Sequence, residues 1–248
     1  MILPAILVKL VVGGATLITT LRYGSGLYFW RETEKLERPV YIVLQKLSNN
    51  VEIRRYEPYL IAETIVDGVG FRKSGGKGFG VCAGYIFGKN KSRTAQSSSS
   101  SWMGGILGRS NDEEESTVEK MAMTAPVRVQ GSDEDNNSKG KTKVSFVIGK
   151  KYSKQTAPKP LDNNVKVREV PAHTLAVRTF SGPPPTDDRV EVERQIIINA
   201  LSEANMLTKA SNKSIKTGET FVYGYHDPFV TPNFLRRNEV ALLIEGSA

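Results

Sequence analysis

The sequence predicts an α+β domain: a mostly antiparallel sheet or barrel with two helices packed on it, built from a duplicated unit. Three observations predict it. Residues 51–68 (VEIRRYEPYLIAETIVDG) are echoed without a gap by residues 165–182 (VKVREVPAHTLAVRTFSG), so that Val51 matches Val165, Arg54 matches Arg168, Ala62 matches Ala176 and Gly68 matches Gly182. A second echo closes each half, VSFVI at 144–148 and VALLI at 240–244. Short apolar/polar alternations bounded by turn residues account for most of the remaining chain. Two units are too few for a solenoid, so they fuse into one core about a pseudo-two-fold axis, and ligand pockets often form where such halves meet.

Residues 2–21 (ILPAILVKLVVGGATLITTL) are apolar except for Lys9 and are long enough to span a bilayer. Arg22, Tyr23, Tyr28, Phe29, Trp30 and Arg31 follow as an interfacial belt, so residues 1–30 read as an uncleaved anchor or a targeting segment. Residues 31–39 (RETEKLERP) read as a charged linker, and the domain is expected over 40–248. Strands are expected at 41–47 and 51–56 around the Asn49-Asn50 turn, with a break at Pro58 and a third strand over 59–66. In residues 69–90, Phe71, Phe79, Cys82, Tyr85 and Ile86 have helical spacing, while five glycines between Gly75 and Gly84 oppose it by about 1 kcal/mol each. GGKGFG within this stretch lacks the spacing of a phosphate-binding loop. Residues 91–117 are serine- and glycine-rich at low complexity and read as a disordered surface insertion.

Strands are expected at 118–130 and 143–150, then again at 165–170 and 173–180. Pro183-Pro184-Pro185 ends the last of these. Thr186 or Asp187 then caps a helix over 188–206, with Val190, Ile197, Leu201 and Ala204 as its apolar stripe. Strands at 219–225 and 238–245 complete the domain.

The chain of 248 residues carries a net charge of +8. Nucleic acid, an anionic membrane and a small anionic ligand all suit a basic chain. The sequence has no basic helix, zinc-finger spacing or RNA-binding signature, which argues against nucleic acid. One cysteine, Cys82, and two histidines, His173 and His226, argue against an internal disulfide, a zinc or iron–sulfur centre and a multi-histidine metal site. No Gly-x-Ser-x-Gly elbow is present. The chain is therefore expected not to be an enzyme.

Two segments are distinctive. In KMAMTAPV (120–127), Met121 and Met123 share one face of a strand, and Thr124 and Pro126 share the other. YHDPFVTPNFLRRNEV (225–240) is a proline-pinned loop feeding the last strand. Together with VEIRRYEPYLIAE (51–63), GYIFGKN (84–90) and VREVPAHTLAVRTFSG (167–182), these motifs resemble, in order, the SOUL family of heme-binding proteins. The resemblance covers nearly all of residues 40–245.

The resemblance implies a distorted eight-stranded antiparallel barrel with two flanking helices, made of a duplicated unit. It also implies non-covalent binding of heme or another porphyrin in an apolar groove between the first helix and the loop before the last strand. One wall would be Phe79, Ala83, Tyr85, Ile86 and Phe87. The other would be Tyr225, Pro228, Phe229, Val230 and Phe234. A porphyrin is a flat apolar plate with two carboxylates on one edge, so Lys73, Lys77, Arg236 and Arg237 are the candidate rim cations. His226 is the candidate axial ligand of the iron. His173 reads as a partly buried sheet residue, Met121 and Met123 as core, and Cys82 as a small buried apolar residue.

The function expected is reversible carriage or buffering of heme or a related tetrapyrrole, with hand-off to an acceptor protein and attachment to a membrane through residues 1–30. The alternative is a membrane-tethered scaffold that has lost ligand binding. A tetrapyrrole-modifying enzyme would need a titrating residue in the groove, for which His226 is the obvious group. Targeting to an organelle, the chloroplast by resemblance to plant and algal members, competes with membrane association; the cytoplasm is the default location.

Overall fold

A computed structural model describes residues 24–67, 70–93, 118–131, 141–206 and 214–245. The apolar run at 1–23 and the insertion at 94–117 lie outside the described residues. Helix α1 covers residues 24–34. It is followed by β1 (Tyr41–Lys46), β2 (Val51–Tyr56), β3 (Tyr59–Asp67), α2 (Phe71–Ile86) and β4 (Asn90–Lys91). Next come β5 (Val127–Gln130), β6 (Lys141–Val147), β7 (Lys159–Pro160), β8 (Lys166–Val170) and β9 (His173–Phe180). The chain ends with α3 (Asp187–Glu203), β10 (Ser214–Gly224) and β11 (Asn238–Glu245).

Nine strands form one antiparallel sheet in the order β1-β2-β9-β11-β10-β5-β6-β3-β8, and β4 and β7 form a separate two-stranded ribbon. The expectation of an eight-stranded barrel with two helices is corrected to a curled half-barrel of nine strands with three helices. The two ends of the strand order, β1 and β8, are not neighbours, so the curl stays open. The duplication is written into the order. Apart from β1, which has no counterpart in the second unit, exchanging β2 with β8, β3 with β9, β5 with β10 and β6 with β11 reverses it, and the axis of exchange falls between β5 and β10. The first strand of each unit pairs with the second strand of the other, β2 on β9 and β3 on β8.

Residues 31–34, expected as linker, are the end of α1. Lys35 and Arg38, just beyond its last residue, pair back onto Glu32 and Glu34 in its final turn, which tethers the chain leaving the helix. The strand expected over 118–130 is reduced to β5. Pro126 has no N–H to give a ladder, and the segment before it is held otherwise: Met121 N–H donates to Ile86 O, and Thr124 Oγ1 donates to Val147 O at 2.6 Å.

The alternation of the strands sorts side chains between two faces. One face carries Ile53, Ala62, Val144, Phe146, Ala176, Val222, Val240 and Leu242, and both α2 and α3 pack on it. The other face carries Tyr56, Leu175, Val177, Phe221, Tyr223, Tyr225 and Ala241, and no helix of the duplicated unit packs on it. The two helices meet at their N-termini, where Phe71 N–H at the start of α2 donates to Asp187 Oδ1 at the start of α3 at 2.8 Å. Thr186 caps α3 by accepting from Arg189 N–H, as expected.

The glycine-laden stretch is helical because one of its glycines makes close approach possible. A Cβ at Gly78 would stand 2.4 Å from Val144 Cβ, so only glycine lets α2 settle onto β6. One turn on, the buried Cys82 thiol points at Ala62 O and Val144 O, both at 3.6 Å, and burial pushes its pKa up to about 12. It is an inert core group. Gly76 and Gly80 differ: each faces open space, with nothing within 4 Å of an added Cβ.

Gly76→Ala and Gly80→Ala are expected to stabilise the fold by about 0.5–1 kcal/mol each, by the propensity difference in an exposed helix. Gly78→Ala is expected to destabilise it through overpacking by about 1–3 kcal/mol. Urea midpoints at constant slope check both signs.

Candidate functional site

The structure divides the residues expected to form the groove. On α2, Ala83, Tyr85 and Ile86 are buried in the cluster beneath the helix, and Tyr85 Oη donates to Pro158 O at 2.8 Å. Phe79 and Phe87 are the exposed aromatics of the helix, and Phe79 lies edge-on to Phe146. Lys73 and Lys77 are exposed on its outer side. On the 225–237 loop, Phe229, Val230 and Phe234 are uncovered, Phe229 to 88 %. Pro228 is exposed, and its carbonyl accepts from Arg236 Nη2. Tyr225 belongs to the opposite sheet face from α2, so it and the buried α2 residues are not walls of one groove.

The three polar residues given roles in that groove are occupied with structure. Arg236 is buried, and its Nε donates to Thr231 O at 2.7 Å, which pins its own loop. Arg237 donates from Nη2 to Glu239 Oε1 at 2.7 Å. These two are corrected from rim cations to internal braces. The His226 side chain is only 1 % exposed, with Nε2 at 3.1 Å from Glu34 Oε1, while Nδ1 accepts from Arg237 N–H. Nδ1 is engaged, while Nε2 faces Glu34 without a hydrogen bond and is buried; burial of the side chain is the reason the assignment of His226 as axial ligand is corrected. Burial lowers its pKa, Glu34 opposes that shift and Arg38 adds to it. Met121 and Met123 lie in the core cluster under α2, as expected.

What the sequence reading missed is the chemistry of the second face. Glu239, with no exposed surface, stands at its centre. Its Oε1 accepts from Arg54 Nη1 at 2.9 Å and from Arg237, and its Oε2 accepts from Tyr225 Oη at 2.7 Å. Burial opposes ionisation of this carboxyl, yet Arg54 and Arg237 bring its pKa below the ordinary carboxylate range. The Arg237 and Arg38 guanidinia lie over the Tyr225 ring at 4.5 and 5.2 Å. Beside this network is a cavity of about 50 Å³ lined by Tyr41, Tyr56, Tyr59, Arg128, Tyr223 and Tyr225, among others. Residues 38 and 39 close it on one side and also border an outer cleft of about 320 Å³, which shares Tyr59 and Val147 with it.

Among known families, the model described as SOUL heme-binding protein matches residues 36–243. The chain belongs to the SOUL family. Solved structures similar to this SOUL chain include a hydrolase from Listeria innocua, 9 % identical over 88 % of this chain and 98 % of that one, TM-score 0.47. The EcmrR C-terminal domain is 10 % identical over 84 % of this chain and 99 % of its own, TM-score 0.46. SAV2435, solved bound to tetraphenylphosphonium, is 12 % identical over 79 % and 94 %, TM-score 0.38. At such identities the likeness is one of fold alone. A comparison with curated proteins finds no match.

Two predictions follow from the second face. Glu239→Ala removes the shared partner of the buried Arg54, which keeps Glu52, and of the half-buried Arg237, and is expected to cost about 3 kcal/mol in denaturant unfolding. The second concerns His226 and His173, whose pKa values both lie below the ordinary histidine value, in each case chiefly through burial. The unfolded chain therefore takes up protons first as pH falls. The histidine contribution is complete above about pH 6.5 and declines through the window below it. Thermal midpoints at pH 7.5 and 5.5 are expected to differ in that sense, and His226→Asn to reduce the difference.

Proposed function

We propose that this SOUL chain reversibly binds heme or a related tetrapyrrole on the outer face of α2, as a carrier or buffer and not as an enzyme. The observation that carries this reading is the composition of that face. At helical spacing, Lys73, Gly76, Lys77, Gly80 and Phe87 form one exposed side, with exposed Phe79 at its edge. Gly76 and Gly80 have open space where side chains would stand, and packing does not require them. They leave a flat strip of backbone on which an apolar plate can lie. Phe79 and Phe87 provide aromatic contact, and Lys73 and Lys77 are within the same helical face for two propionates. The uncovered Phe229, Val230 and Phe234 of the 225–237 loop belong to the proposal as a second apolar surface for the ring.

The residues of this face fit a porphyrin as a bound plate. Heme would bring its iron and its redox chemistry when bound; the protein's part is burial of the ring and pairing of its carboxylates. With the His226 side chain buried and its Nδ1 engaged, the binding proposed does not draw on that residue.

Attachment to a membrane through residues 1–30 is part of the same proposal. It is supported by Leu27, Tyr28 and Phe29 on α1, which are 53, 61 and 45 % exposed directly after the apolar run. Among the described residues no helix is long and apolar enough to cross a membrane.

Hemin titrated into the full chain in mild detergent is expected to give a saturable, shifted Soret band. Gly76→Leu with Gly80→Leu, which fill the strip without touching the core, should weaken it at least tenfold. Lys73→Glu with Lys77→Glu should weaken it through the propionates. His226→Asn should leave it unchanged. A band that is indifferent to the α2 changes would remove this face from the reading, and a free-hemin spectrum throughout would remove heme.

A further inference from the structure

A guanidinium buried without a carboxylate is costly unless something outside the chain supplies the charge. Arg128, on β5, is 6 % exposed. Its Nη2 donates to Gln130 Oε1 at 3.2 Å, and its Cζ lies 4.4 Å from the centre of the Phe221 ring. Neither contact carries a negative charge. Its Nε and Nη1 have no hydrogen-bond partner among the described residues. The other arginines of this face each have a carboxylate partner, although Arg38 Nε and Nη2 also form no hydrogen bond among the described residues. Arg54 is paired with Glu239 and Glu52, Arg237 with Glu239, and Arg38 with Glu34. Arg128 is therefore the uncompensated cation of the face, and it lines the 50 Å³ cavity beside Tyr56, Tyr59, Tyr223 and Tyr225.

We infer that this cavity is a second binding site, separate from the α2 face, for a small aromatic carboxylate whose carboxylate pairs with Arg128. The chemistry follows from the walls. Nε and Nη1 face different edges of the guanidinium and Nη2 is held by Gln130, so a carboxylate takes one of the two in a single charge-assisted hydrogen bond. One missing negative charge is answered by a monoanion. Tyrosine rings on several sides favour a flat aromatic body. The inner volume takes a carboxylate and part of a ring, and the outer cleft that shares Tyr59 and Val147 receives the rest. Arg38, Lys150 and Lys154 border that outer cleft together with Glu37, Glu57 and Glu169, so its charges balance and selection of an anion rests on Arg128. A tetrapyrrole is far too large for the inner cavity, so the two sites select ligands of different size.

The test compares benzoate with its uncharged analogue benzamide, by calorimetry on the full chain. Benzoate is expected to bind saturably and at least tenfold more tightly than benzamide. Arg128→Gln should abolish that preference and leave hemin binding to the α2 face unchanged. Equal affinity for the two probes would mean that water alone satisfies Arg128 and would overturn the site, as would a benzoate preference that survives in Arg128→Gln. Should that variant not fold, the wild-type chain with ring-labelled tyrosine decides by NMR. Saturable benzoate shifts at Tyr56, Tyr59, Tyr223 and Tyr225, with Tyr28 unmoved, support the site. Shifts confined to other rings, or none, reject it.

Discussion

A carboxylate with no exposed surface keeps its charge only if the fold brings cations to it, and around Glu239 the fold brings two, with a neutral hydroxyl as a third donor. Arg54 comes from β2, Arg237 from the loop that precedes β11, and the Tyr225 hydroxyl from the end of β10. Thr179 of β9 adds a fourth contact, donating to Oε1 at 3.1 Å. These bonds cross the strand order at β2, β9, β11 and β10, so one buried group fixes how neighbouring strands register and where the 225–237 loop begins. They also commit that loop. His226 and Arg237 are drawn inward by the same region, with Arg237 N–H on His226 Nδ1 and Glu34 on Nε2. What the loop leaves outside is its apolar tip, Phe229 and Phe234.

The face opposite the helices is thus a polar core inside a curled sheet, where ordinary antiparallel sheets would present a solvated side. Much of the fold was legible in the sequence because repetition and alternation are local signals. The echo of 51–68 in 165–182, the Asn49-Asn50 turn and the Thr186 cap all have their expected places. The fate of Arg54, Arg128 and Glu239 was not legible. Each sits in strand phase with residues that alternate against buried apolar positions, which is also the pattern of a wet face. The signal that separates the two is the company they keep: Tyr56, Tyr223 and Tyr225 share their face, and large aromatic rings in phase with charges mark a side that closes. The errors at 31–39 and 118–126 have simpler causes. The charged run continues α1 only as far as residue 34, and Pro126 cannot donate to a strand ladder.

On α2 the same residue type serves opposite ends. Gly78 is required by packing, because the helix could not otherwise reach Val144. Gly76 and Gly80 are required by nothing inside the molecule, and each weakens an exposed helix. Keeping them costs stability on a helix that already holds its neighbours through Cys82, Ala83, Tyr85 and Ile86. Such a cost at a surface is understandable where the surface has work to do, and a helix anchored on one side by a tight core can carry it.

The pairing of β2 with β9 and of β3 with β8 means that neither unit closes its own part of the sheet. Each half lends its first strand to the other, so a chain cut between the units would leave both pieces with unsatisfied edges. A half synthesised first cannot finish its own share of the sheet and must wait for more than a hundred residues of chain before its partners exist, which makes the contacts long-range and folding correspondingly slow. A free single unit would find those partners only in a second copy of itself. Joining the two in one chain replaces that encounter with a fixed, high effective concentration, and turns what would be a concentration-dependent dimer into a molecule whose stability does not depend on dilution.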